Sequence, residues 1–151
     1  MVICNQFRST LMSSRKFRIL VVDDDPDIAT MMKLGLERKD FQVEAITDPL
    51  KALEFYKQDD KFDLALIDVR MEPINGFELY RRLLQINPNL KVCFITAFEI
   101  YYDEFKRVFP KIKVECFVQK PVSMDKLVAV IRTELERVLE IPNVETDLKT
   151  Q

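Results

Sequence analysis

The sequence contains no histidine among its 151 residues, and that absence excludes much of the usual catalytic repertoire. Ser-His and Cys-His nucleophile pairs, the common zinc sites and imidazole general-base chemistry all need the missing residue. Cysteine is sparse: Cys4, Cys93 and Cys116 form no metal-ligand spacing, and an odd count suits a reducing compartment better than a disulfide framework. Cys93 and Cys116 lie in apolar runs and read as small buried hydrophobes. No apolar stretch approaches the roughly 20 residues that span a bilayer, and Met1 to Arg18 has no signal-peptide core. Basic runs are missing too: 23 basic residues against 25 acidic ones leave a net charge of -2, with nothing to neutralise a nucleic-acid backbone. The expectation is a cytoplasmic protein that binds neither nucleic acid nor membrane directly. Its chemistry must come from carboxylates, lysine, threonine and a hard cation.

A chain of this length, 48% hydrophobic, suits one domain with a single core. Met1 to Lys16 shows no periodicity, with Met12 as a second candidate start, and the residues after Pro142 are polar. The expected organisation is a flexible extension over 1–16, a folded domain over 17–141 and a polar tail over 142–151. Strands are predicted at Ile19 to Val22, Val43 to Thr47, Leu64 to Asp68, Val92 to Thr96 and Val114 to Gln119. Asp25-Pro26 and Asp48-Pro49 each offer a side-chain cap followed by proline at the first helical position, and Ser123 caps the last helix. The first helix runs to about Lys39 with Ile28, Met31, Met32, Leu34 and Leu36 as its apolar stripe; Leu50, Leu53, Phe55 and Tyr56 face the sheet from the second. A third helix follows Gly76 and stops at Asn87-Pro88, a fourth carries Phe98, Tyr101, Tyr102 and Phe105, and the last repeats Leu127, Ile131, Leu135 and Val138. Five strands alternating with five helices predict a flavodoxin-like, doubly wound α/β fold with a parallel sheet of order 2-1-3-4-5.

Ligands of such a sheet sit outside the carboxyl ends of its strands. Asp23-Asp24-Asp25 after Val22, Asp68 after Ile67 and Lys120 after Gln119 therefore converge on one edge. Crowded carboxylates repel, and a bound cation resolves the conflict; oxygen-only ligands suit Mg2+ or Mn2+. Capping and solvated charge also account for an acidic triplet taken alone, and Asp25 fits that description. Asp23 and Asp24 are better placed as metal ligands, and Asp68, at the end of the central strand, as the nucleophile. A cation, the Lys120 ammonium and the Thr96 hydroxyl can hold three oxygens of a transferring phosphoryl group while a carboxylate attacks phosphorus.

These segments resemble the receiver domain of bacterial and archaeal two-component response regulators. The matching strings are ILVVDDDPDI at Ile19 to Ile28, DLALIDVRM at Asp63 to Met71 with Gly76 after it, VCFITA at Val92 to Ala97, and FVQKPV at Phe117 to Val122. The resemblance covers Arg18 to Leu139 and implies that Asp68 accepts a phosphoryl group from a histidine kinase. It implies that Asp23, Asp24, Asp68 and the backbone carbonyl of Arg70 hold Mg2+. Thr96 and Lys120 would engage the phosphoryl oxygens and draw the fourth strand and its loop inward, with Phe117 at the aromatic switch position and the Lys120-Pro121 bond cis. With no output domain after Pro142, the likeness is to a stand-alone, chemotaxis-regulator-like receiver that catalyses only its own phosphorylation and dephosphorylation.

Departures from the family pattern cluster around the site and the fourth helix. Glu72 stands where many relatives have proline, Arg70 and Phe98 occupy positions that tune phosphoryl loss, and YYDEFKRVFPKIKVEC replaces a small, glycine-containing turn. Tyr101, Tyr102, Phe105 and Phe109 exceed what one buried stripe needs, so the fourth helix, fifth strand and last helix are the expected face for a downstream protein partner or a homodimer. Two other readings remain. A receiver-fold module could act without phosphorylation, although a scaffold needs no set such as Asp23, Asp24, Asp68, Thr96 and Lys120. A small phosphatase with an aspartyl nucleophile would usually need a second acid where Arg70 stands.

Overall fold

The computed structural model describes residues 15–97, 101–108, 110 and 116–137. The short apolar runs form β1 (Arg18–Val22), β2 (Gln42–Ile46), β3 (Leu64–Asp68), β4 (Lys91–Thr96) and β5 (Phe117–Gln119). Between them lie α1 (Pro26–Glu37), α2 (Pro49–Gln58), α3 (Gly76–Ile86), α4 (Tyr101–Val108) and α5 (Met124–Glu136). The sheet order is β2-β1-β3-β4-β5 with every neighbouring pair parallel, the expected doubly wound topology.

Alternation along the strands sorts side chains into two cores. Leu64 and Leu66 of β3 join Met32 and Leu36 of α1 and Leu127, Ile131 and Leu135 of α5 on one face. Ala65 and Ile67 join Ala52 and Tyr56 of α2 and Phe77, Leu79 and Leu83 of α3 on the other. Because β3 is covered on both sides, its run is apolar throughout until Asp68.

The helix starts follow the capping chemistry. Asp25 accepts hydrogen bonds from the backbone N–H groups of Asp27 and Ile28, Asp48 from those of Leu50 and Lys51, Asn75 from Glu78 and Ser123 from Lys126. Other details differ from expectation. In α1 the buried residues are Ala29, Met32 and Leu36, while Met31 and Leu34 are 60% and 52% exposed, because steps of three and four residues define a narrower stripe than hydrophobicity alone suggests. Leu50 of α2 is likewise exposed. α1 stops at Glu37, where the chain turns through Asp40 at φ 67°. β2 starts and ends one residue earlier than expected. Phe98, Phe109, Val114, the extension over 1–14 and the segment from 138 onward fall outside the described residues, as do the side chains of Tyr101, Tyr102 and Phe105.

The cysteines require a correction. Cys93 and Cys116 are buried, as expected, but they are bonded to each other, with Cα atoms 4.6 Å apart. The reason is register: Phe94 pairs with Phe117 across β4 and β5, which sets the two preceding residues side by side. A count of cysteines carries no information about that alignment.

Candidate functional site

The parallel register brings the functional side chains to one edge. Val22 pairs with Ile67, Asp68 with Ile95 and Thr96 with Gln119, so Asp23, Asp68, Thr96 and Lys120 all stand at or just beyond the carboxyl ends. Asp23 and Asp68 are buried at 2% and 7% exposure, and Thr96 is buried beside them, whereas Asp24 faces solvent. Carboxylate oxygens of Asp23, Asp24 and Asp68 lie within 4.8 Å of one another. Lys120 is delivered by its backbone, whose N–H donates to the Thr96 carbonyl at 2.8 Å. Its Nζ then donates to Asp23 Oδ2 at 2.9 Å and stands 3.7 Å from Asp68 Oδ1.

This geometry separates two acids that look equivalent in sequence. Asp23 uses one carboxylate oxygen to accept the Asp25 backbone N–H at 3.0 Å and the other to hold Lys120. Asp68 has less compensation: burial and then the negative charge of Asp23 push its carboxyl from 3.8 up to about 6, with Asp24 adding to the rise. The Lys120 ammonium and a hydrogen bond from the Arg70 backbone N–H oppose them. One ammonium against three converging carboxylates leaves excess negative charge, and the donors are all hard oxygens. The residues therefore fit a small divalent cation such as Mg2+ or Mn2+.

The surrounding loops complete the frame. Arg70 is exposed two residues beyond Asp68, and Glu72 is exposed and stands outside the acidic cluster. The Lys120-Pro121 bond is cis, as the resemblance implied, and so is Glu72-Pro73. Gly76 donates its N–H to the Val69 carbonyl at 2.8 Å, and a Cβ there would collide with the Asp68 carbonyl oxygen and approach Val69 Cα to 2.9 Å. Phe117 is half-buried, its ring 5.4 Å from that of Phe94. Sequence reasoning missed the pairing of Asp23 with Lys120, residues 97 positions apart, and the Cys93–Cys116 bond. Only the strand register could have revealed either.

Strand order and edge chemistry of this kind are those of one class of signalling protein that this chain matches, the receiver domain. The model of the response regulator receiver domain matches residues 19–132, and the chain belongs to that family. Response regulator GtcR of Aneurinibacillus migulanus is 32% identical over 122 residues, covering 81% of this chain and 49% of that protein. Response regulator receiver protein CpdR of Brucella abortus (strain 2308) is 37% identical over 81 residues, covering 54% and 67%. Among solved structures, a CheY-like receiver domain protein from Methanospirillum hungatei JF-1 superposes with a TM-score of 0.72 at 26% identity, covering 82% of this chain and 96% of that one. The chain spans about half the length of curated relatives such as GtcR. It is thus a receiver-domain protein of two-component signalling, and no helix among its described residues is long and apolar enough to cross a membrane.

Proposed function

We propose that the protein is a phosphoacceptor that takes a phosphoryl group from a histidine kinase onto Asp68. The supporting observation is the grouping of Asp23, Asp24 and Asp68 within 4.8 Å, with Lys120 Nζ 3.7 Å from Asp68 Oδ1. An Asp68 carboxylate oxygen attacks the phosphorus, the bond from phosphorus to the donor imidazole nitrogen breaks, and the electron pair returns to that nitrogen. Asp23, Asp24, Asp68 and the backbone carbonyl of Arg70 would hold Mg2+, which would supply charge neutralisation to the phosphoryl oxygens. Lys120 holds one of those oxygens. The Thr96 hydroxyl donates to another and draws β4 inward, while Phe117 follows as the aromatic switch.

The folded unit is 17–141, flanked by the extension over 1–16 and the tail over 142–151, and it works in the cytoplasm. Its output is a changed surface on α4, β5 and α5 that binds a downstream protein or a second copy of the chain. No turnover is expected beyond the protein's own phosphorylation and dephosphorylation. Incubation with acetyl phosphate and Mg2+, read by intact mass, tests the central step. The expected result is one hydroxylamine-sensitive phosphoryl adduct that Asp68→Ala abolishes; no adduct at any Mg2+ concentration would favour a receiver fold that works without phosphorylation.

A further inference from the structure

The Cys93–Cys116 bond has no part in phosphoryl chemistry, yet it lies where that chemistry must be transmitted. It adds a covalent link one residue before the first β4–β5 pair, Phe94 with Phe117, and the Phe94 N–H donates to the Cys116 carbonyl at 2.9 Å. Thr96 follows Cys93 on β4 and Lys120 follows Cys116 beyond β5. The covalent loop thus closed spans 23 positions and contains Thr96 and all of α4.

Cys93 and Cys116 are buried, at 0% and 4% exposure, and a cleft borders the second of them. A cleft of about 340 Å3 between β5 and α5 is lined by Cys116, Phe117, Lys126, Ala129, Val130, Thr133, Glu134 and Arg137. That volume is within the roughly 300 to 1,000 Å3 of small-ligand sites. Lys126 is exposed at its rim, and Arg137 stands 3.0 Å from Glu134, so the cleft carries more positive than negative charge around a cysteine. An anionic thiol or disulfide of tripeptide size suits both its dimensions and its charge.

We propose that Cys93 and Cys116 form a reversible oxidation site, exchanged through this cleft with an anionic low-molecular-weight disulfide such as oxidised glutathione, that sets the freedom of the β4–α4 segment. In the oxidising direction, the Cys116 thiolate attacks one sulfur of the glutathione disulfide and expels a glutathione thiolate. The Cys93 thiolate then attacks the Cys116 sulfur and expels the second. The protein dithiol loses two electrons, the glutathione disulfide gains them, and the two protein thiol protons end on the two released glutathiones. The bonded form restrains β4 against β5 and so limits how far Thr96 can shift when the phosphoryl group arrives. That last link rests on the phosphoacceptor reading above, whereas the exchange chemistry and the restraint do not.

The full chain is equilibrated in glutathione buffers of stepped redox ratio, quenched with acid, alkylated and peptide-mapped. Cys93 and Cys116 are expected to lose alkylation together as the buffer becomes oxidising, and to do so without retaining bound glutathione. In the absence of phosphodonor, amide exchange over 101–108 is expected to be at least about fivefold slower in the oxidised form, since a restraint on the loop removes local openings. Full alkylation of both cysteines in every buffer, or equal exchange in the two forms, would overturn the proposal.

Lys126→Glu tests the route. It is expected to slow oxidation by oxidised glutathione severalfold but not by the uncharged hydroxyethyl disulfide, and unchanged rates with both reagents would rule out the cleft. Acetyl phosphate labelling of both redox forms separates the two readings. An adduct in each form, with a phosphorylation-dependent change of exchange over 101–108 confined to the reduced protein, supports the coupling. The same change in both forms overturns it, and failure to form an adduct in either form removes the phosphoacceptor reading while the redox and exchange data still judge the tether.

Discussion

Asp68 is held in a place where its charge is unwelcome until something positive arrives. Its carboxyl is raised from 3.8 to about 6 by burial and by Asp23, so the folded protein binds that proton more tightly than the unfolded chain does. The resulting stabilisation is complete below pH 3.8 and is lost as the pH rises through about 6. In metal-free buffer, Asp68→Asn should therefore match the wild type near pH 3 and exceed its stability above pH 7 by on the order of 2 to 3 kcal/mol. Urea midpoints measured with chelator across that range check the sign, and saturating Mg2+ should erase most of the difference. A different residue protects the same site sterically. Gly76→Ala forces a methyl group against the Asp68 carbonyl oxygen and Val69 Cα, both backbone atoms that cannot swing aside. We expect it to lower stability by about 1 to 3 kcal/mol and to weaken Mg2+ binding, as read by calorimetry. The residue types of this site were legible in sequence because each ends a recognisable apolar run. The division of labour between Asp23, which holds Lys120, and the exposed Asp24 was not, since it depends on burial and on a partner from the far end of the chain.

Elements differ in how openly their limits are written. Three helices begin where a cap was expected, at Asp25, Asp48 and Ser123, because an N-cap is a local hydrogen-bonding arrangement within a few residues. Helix faces were less legible: Met31 and Leu34 are apolar but exposed, since burial depends on where the sheet lies rather than on hydrophobicity alone. The end of α1 was hidden for a related reason. With only 2 glycines in the chain, the left-handed turn after the helix falls to Asp40 at φ 67°, a conformation that aspartate tolerates better than most residues. Asp40→Val should lower the free energy of unfolding by about 1 to 2 kcal/mol, whereas Asp40→Gly should not; chemical denaturation of the pair provides the check.

At the scale of the molecule, one sheet separates two cores and collects its polar residues at a single edge. The alternation of strands and helices was enough to read that topology, because parallel crossovers leave few alternatives. Register was not readable, and the cysteine bond followed from register. A cation bridging the ends of β1 and β3 would bind the folded chain and not the unfolded one, so Mg2+ at about 100 times its dissociation constant should stabilise the protein by about 2.7 kcal/mol. Thermal melts with and without chelator check this, and Asp24→Ala should shrink the effect without removing the buried Asp23–Lys120 pair.

The aromatic packing of the second core carries a practical consequence. The chain has no tryptophan and 4 tyrosines, and Tyr80 stands edge-on to Phe94 at 5.6 Å, two positions before Thr96 on β4. Tyrosine emission is thus not drained by an indole, and one of its emitters touches the strand proposed to move. A shift of β4 on phosphorylation should therefore change that emission, a gauge readable in solution with no dye attached.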